Sequence, residues 1–123
     1  MKNIVLILGM LLAIVSTSFS QDLGDYKTSI DYTEKGVNED CVQYYISQGG
    51  GILNVYFVDD DGYITEYKSV FNKLDDLMYV LKVLDNAGWE RVESDGNKFF
   101  VSNGMAINYY KASYGYVLHK FYI

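Results

Sequence analysis

A single cysteine and a single histidine leave most covalent and metal chemistry without its reagents. With Cys41 alone, no disulfide can form within the chain, so stability has to come from packing. A zinc site asks for three or four Cys and His ligands, and Cys41 and His119 are too few. Nucleophilic catalysis asks for a base beside the nucleophile, usually a histidine, and nothing in the spacing brings Cys41 to His119. Strand alternation sets His119 on one face with Val117, Phe121 and Ile123, an apolar setting that predicts a half-buried imidazole rather than a catalytic one. Cys41 lies in an apolar, alternating stretch, which predicts a buried thiol.

Basic charge is scarce as well. Ten Lys and Arg stand against 16 Asp and Glu, for a formal net charge of −6. Such a balance argues against nucleic acid, whose binders need basic patches to displace counterions, and against adhesion to anionic lipid. Long apolar runs are missing too, with one exception. Lys2, the uncharged apolar run Ile4 to Val15 and the small-residue stretch ending Ser18-Phe19-Ser20 have the three-part layout of a secretory signal peptide, with cleavage expected before Gln21. That run of about 12 residues is short of the roughly 20 that cross a bilayer. No cysteine follows it to carry a lipid. The expected product is an exported protein, periplasmic or secreted, with no stable membrane insertion once residues 1–20 are removed.

The remainder has the length of one domain. Residues 21–38 are polar and turn-rich and read as a flexible leader contributing at most one edge strand. Residues 39–123 read as a single domain. Cys41 to Ser47 and Ile52 to Val58 have strand composition around Gln48-Gly49-Gly50-Gly51, which predicts a hairpin. Asp59-Asp60-Asp61-Gly62 is turn chemistry, and Tyr63 to Lys68 resumes as a strand. From Lys73 to Ala87 the period changes: Leu74, Leu77, Met78, Leu81 and Leu84 form one stripe of a helix, which Val80, Val83 and Ala87 widen. Asn72 is its expected N-cap, Asp75 and Asp76 suit its first turn, and Gly88 its left-handed stop. Trp89 to Glu93, Lys98 to Ser102, Met105 to Ala112 and Tyr116 to Tyr122 return to strand composition, with Asn103-Gly104 a strong two-residue turn. The fold class expected is α+β: a mostly antiparallel sheet in strands-helix-strands order, with one long helix packed on one face.

At the helix exit, Leu81, Leu84, Gly88-Trp89-Glu90 and Val92 resemble the L-N-x-L-G-x-x-G-W-E-x-V signature of small bacterial domains of unknown function. Exported members of that kind occur in gram-negative bacteria. The resemblance spans residues 52 to 122, and Tyr116 to Lys120 is similar to the closing aromatic, apolar and basic run of those domains. Lys82 stands where the signature has Asn, and Asp85 where it has the first Gly. The resemblance implies a fold and no activity. In physical terms Gly88 stops the helix and Trp89 anchors helix to sheet.

Candidate sites are few. Asp59, Asp60 and Asp61 are consecutive carboxylates beside a glycine, a weak calcium candidate, since calcium loops space their ligands at alternate positions and Glu66 is out of register for the closing one. Gly49-Gly50-Gly51 leads into a strand, whereas phosphate loops lead into a helix. No cofactor is implied. Tyrosine is the abundant residue, 13 in all and none before Gln21. Tyrosine gives contact area at little entropic cost, and it is also a good strand residue. Tyr44, Tyr56, Tyr109 and Tyr116 are the candidate contact residues, on the sheet face away from the helix. These features suggest a non-enzymatic exported binding module for an unknown protein or glycan. The alternatives are a cell-envelope hydrolase using carboxylates and a structural envelope protein that self-associates through a strand edge such as Tyr116 to Tyr122.

Overall fold

The computed structural model describes residues 21–123, so the expected signal peptide lies outside the described residues. Tight turns dictate the architecture. At Gly50-Gly51, Asp95-Gly96 and Asn103-Gly104 both turn residues have positive φ, between 49° and 78°. That geometry matches the natural twist of paired strands. Strands β1 (Glu34–Val37), β2 (Gln43–Gly49), β3 (Ile52–Val58) and β4 (Ile64–Phe71) therefore form one antiparallel meander. Strands β5 (Glu90–Ser94), β6 (Asn97–Ser102), β7 (Met105–Ala112) and β8 (Gly115–Tyr122) form a second. Helix α1 (Leu74–Asn86) carries the chain between them. Because β8 pairs with β4, the two meanders fuse into one eight-stranded sheet, ordered β1-β2-β3-β4-β8-β7-β6-β5.

The expectation of a long helix over a sheet is corrected here: more than half of the described residues are strand, and α1 is only 13 residues. Eight strands spaced about 4.8 Å apart make a face ~38 Å wide, whereas 13 helical residues reach only ~20 Å. One short helix cannot cover such a sheet. It buries Leu77, Val80 and Leu81 against Phe71, Phe100, Ile107 and Leu118. Leu74 and Met78, expected on the same stripe, are 48% and 55% exposed. Asn72 is not the cap either, because the helix starts from Lys73 without a side-chain cap bond. Gly88 (φ 88°) does end it, and Trp89 packs half-buried against the helix-side core. Asp85 pairs with Arg91 across this exit, and that hydrogen bond holds the Asp85 carboxyl below its ordinary range.

The rest of that face is covered by the expected leader, which is part of the core rather than a flexible arm. Ile30 and Leu23 pack on Tyr45, Tyr56, Val58, Ile64 and Tyr67. The segment is tied down by Gly24 N–H to the Ile64 carbonyl (2.9 Å), Ile64 N–H to the Asp25 carbonyl (2.9 Å) and Lys27 N–H to the Gly62 carbonyl (2.8 Å). The Gln21 amide donates to the Ser29 carbonyl at 2.6 Å. Only β1 behaves as the expected edge strand. A bulge at Phe57/Val58 lets Ile64 and Tyr67, three residues apart, both point into this second cluster.

Both buried clusters lie on one face of the sheet. The opposite face is set by register. Its rows are Tyr44, Phe57, Glu66, Phe121, Ala106 and Val101, then Ile46, Val55, Lys68, His119, Asn108 and Phe99, then Leu53, Val70 and Val117. Tyr116 to Tyr122, expected as a free edge, is instead β8 in the middle of the sheet; the edges are β1 and β5. Among the described residues no helix is long and apolar enough to cross a membrane.

Cys41 is exposed, not buried. The Asn38 Oδ1 accepts the amides of Asp40 and Val42, both at 2.9 Å, which extends the β1–β2 loop past Cys41 and delays β2 to Gln43. The β3–β4 loop repeats this device: Asp59 Oδ1 accepts the amides of Asp61 (3.0 Å) and Tyr63 (2.9 Å). In corresponding positions stand Cys41 (φ 61°) and Gly62 (φ 90°). Only glycine is at ease there. Replacing Cys41→Gly should therefore stabilise the protein by about 0.5–1 kcal/mol, the relief of left-handed strain less the added entropy of the unfolded chain. A urea midpoint that falls in the variant would refute this.

Candidate functional site

Of the four tyrosines singled out by composition, the fold places only Tyr44 on the face away from the helix. Tyr56 is fully buried in the N-terminal cluster, while Tyr109 and Tyr116 pack against the helix-side core. The reason is register. Tyr56 lies in line with Tyr45, Tyr67 and Lys120, and Tyr109 with Leu118, all pointing toward the covered face.

The structure does bring Tyr109 and Tyr116 together. They form part of a groove of about 350 Å³ between α1 and the second meander. Leu74, Leu77, Met78 and Leu81 supply the helix wall, and Gly96, Asn97, Lys98, Tyr109, Tyr110, Lys111 and Tyr116 the sheet side. The short helix leaves Leu74 and Met78 exposed, and they line this groove. Lys98 lies opposite Tyr109 and Lys111 opposite Tyr116. The Lys111 ammonium is 5.8 Å from the Tyr116 ring centroid, a cation–π distance. Burial and the neighbouring Tyr114 push the Tyr110 hydroxyl up. The groove thus offers an apolar floor, tyrosine edges and two lysines, with no carboxylate among the described residues of its lining. Sequence reasoning missed Lys98, Lys111, Leu74 and Met78. Counting outward from Asn103-Gly104 sets Lys98 against Tyr109, but which residues the helix leaves bare is not readable in this way.

Tyr44 lines a second hollow, of about 360 Å³, at the β1–β2 edge with Lys27, Lys35, Gly36, Val37, Gln43 and Tyr45. It lacks a helix wall and is made largely of polar groups and backbone. His119 is half-buried as expected, on the face opposite the two clusters, 5.0 Å from the Phe121 ring, with Nε2 3.4 Å from Glu66 Oε2. Burial pulls its pKa below the ordinary value, against the opposing pull of Glu66, so it is neutral at pH 7. Asp59 spends one carboxylate oxygen on its own turn, while Asp60 and Asp61 are exposed beside it. Among the described residues no group of three or more His, Cys, Asp or Glu side chains is placed to share a metal ion.

Fold and groove together define a small antiparallel sheet protein with a ligand-sized apolar cleft. Comparison with known proteins finds no family model, no curated protein and no solved structure that matches the chain.

Proposed function

We propose that this chain is a small exported binding module, without catalytic machinery of its own, that holds an amphipathic anion in the groove between α1 and the β6–β8 strands. The observation that carries the reading is a contrast of sign. In a chain of net charge −6, the charged side chains that line this apolar groove among the described residues are Lys98 and Lys111. An apolar ligand body suits Leu74, Leu77, Met78 and the tyrosine rings, and a carboxylate or similar head group suits the two ammonium groups at the rim. Export follows from the signal-like leader, and the resemblance at Gly88-Trp89-Glu90 bears on fold alone.

Decanoate and decanol, titrated calorimetrically into the protein, test the reading. Decanoate should bind at least tenfold more tightly, a difference of about 1.4 kcal/mol. The Lys98→Ala/Lys111→Ala pair should remove that preference, and Met78→Trp, which fills the groove, should remove binding of both. Equal affinities for acid and alcohol in the parent protein would sink the proposal.

A further inference from the structure

Two lysines from separate segments converge on the hollow at the β1–β2 edge. Lys27 opens the short 3-10 turn Lys27–Ser29 of the N-terminal segment and is half-buried there. Its N–H bond to the Gly62 carbonyl (2.8 Å) and the bond from the Ile30 N–H to its own carbonyl (3.1 Å) hold that turn in place. Lys35 comes from β1, where it stands opposite Tyr45, while Val37 stands opposite Gln43. Register sends all four toward the covered face, because Tyr45 pairs onward with Tyr56 and Gln43 with Val58, both buried in the N-terminal cluster. Tyr44 secures β1 from the other side: its ring fills the space where a side chain at Gly36 would stand. The hollow, of about 360 Å³, thus lies between two backbone elements that are each tied down, and it shares no lining residue with the groove beside α1.

Among the described residues neither ammonium is in an ion pair, and no carboxylate lines the hollow. The acidic turn of residues 59–62 meets Lys27 through its backbone alone; none of its carboxylates is within ion-pair distance of either lysine. Two like charges drawn to one hollow repel each other, and an anion between them is held by both. Size and polarity narrow the choice. The volume exceeds what a simple ion fills and falls at the low end of small-molecule sites. Lysines, the Gln43 amide and backbone make up most of the lining, which suits a body bearing hydroxyls rather than an alkyl tail. Tyr32 adds an open ring beside Lys35: it is 42% exposed, 5.8 Å from the Lys35 ammonium and edge-on to Tyr45 at 5.0 Å, a surface for the C–H face of a sugar. We propose that this hollow binds a hexuronic acid, with its carboxylate between Lys27 and Lys35 and its hydroxyls at Gln43.

Amide chemical shifts of the protein expressed from its full sequence, followed during titration with galacturonate, galactose, inorganic phosphate and trigalacturonate, test the site. Galacturonate should shift resonances of Lys27, Lys35 and Gln43 and leave those of Tyr109 and Tyr116 in place. It should bind at least ~10-fold more tightly than galactose, which lacks the carboxylate, and than phosphate, which lacks the sugar. Lys35→Ala, on an exposed edge strand, should weaken galacturonate about 10-fold with an unchanged circular dichroism spectrum, and Lys35→Arg should restore most of the loss. Lys27→Ala should have the effect of Lys35→Ala. Trigalacturonate binding more tightly than the monomer assigns the sugar to an acidic glycan, and equal affinity assigns it to the free acid. Galactose or phosphate binding as tightly as galacturonate, shifts confined to other strands, or no saturable shift below about 50 mM would each overturn the proposal.

Discussion

Above pH 10 the protein should lose stability at about 1.4 kcal/mol per pH unit for each of two buried tyrosines, and unfold within roughly two units. Burial pushes the Tyr56 hydroxyl up to about 12 and raises that of Tyr67 as well, with the negative charge of Asp22 adding to both shifts. In the unfolded chain both hydroxyls ionise near 10. Between the two values the unfolded state releases protons that the folded state keeps, so alkali favours unfolding. The stabilisation is whole below pH 10 and disappears as pH rises through about 12. Their rings, 5.6 Å apart at the centre of the N-terminal cluster, leave no place for a tyrosinate. Urea unfolding between pH 8 and pH 12 should show this slope. Tyr56→Phe should be close to the parent at pH 8 and lose stability about half as steeply above pH 10. A parent whose stability is flat to pH 12 would show that these hydroxyls reach solvent.

The same two tyrosines show where the sequence stops being legible. Strand positions follow from composition and turns, and they hold because the turns are local: Asn103-Gly104 and Asp95-Gly96 fix the register of their hairpins without help from the rest of the chain. The face each tyrosine occupies is not local. It depends on which strands pair across the meanders and on a bulge at Phe57/Val58 that changes the parity of β4. Tyr56 therefore reads as a surface candidate and lies in the core. The helix is legible from its apolar period, but its reach is not, because five apolar residues on a stripe say nothing of the width of the sheet beneath. Leu74 and Met78 are left bare for that reason, and the groove exists because of it. The leader misleads in the opposite sense. Polar composition between Gln21 and Asn38 suggests mobility, yet Ile30 and Leu23 are enough to cap a cluster when backbone bonds to Gly62 and Ile64 hold them there.

Lys120 joins these parts, and its variants should separate the worth of its stem from that of its charge. Its side chain is 8% exposed, in line on the covered face with Tyr67 and Ile107. The ammonium donates to Asp22 Oδ1 at 2.7 Å and lies 5.9 Å from the Tyr67 ring centroid and 5.5 Å from that of Trp89. It thus ties the N-terminal segment to the helix exit across the seam between the two clusters. Lys120→Ala removes the buried stem and the tie together and should cost about 3 kcal/mol. Asp22→Asn leaves the stem in place but weakens a charge-assisted hydrogen bond whose acceptor is 56% exposed, so about 1–2 kcal/mol is expected. Lys120→Met keeps the volume, drops the cost of burying a cation and frees only an exposed carboxylate; its stability should fall within about 1 kcal/mol of the parent. Trp89 is the sole tryptophan, so its fluorescence reports the loss of the cation beside it in both Lys120 variants. Denaturant midpoints that rank Lys120→Met above Asp22→Asn, and Asp22→Asn above Lys120→Ala, would fit a stem that matters more than its charge. If Lys120→Met is as damaging as Lys120→Ala, the ion pair and not the packing holds the segment, and the N-terminal cover then depends on salt, weakening as ionic strength screens the half-exposed carboxylate.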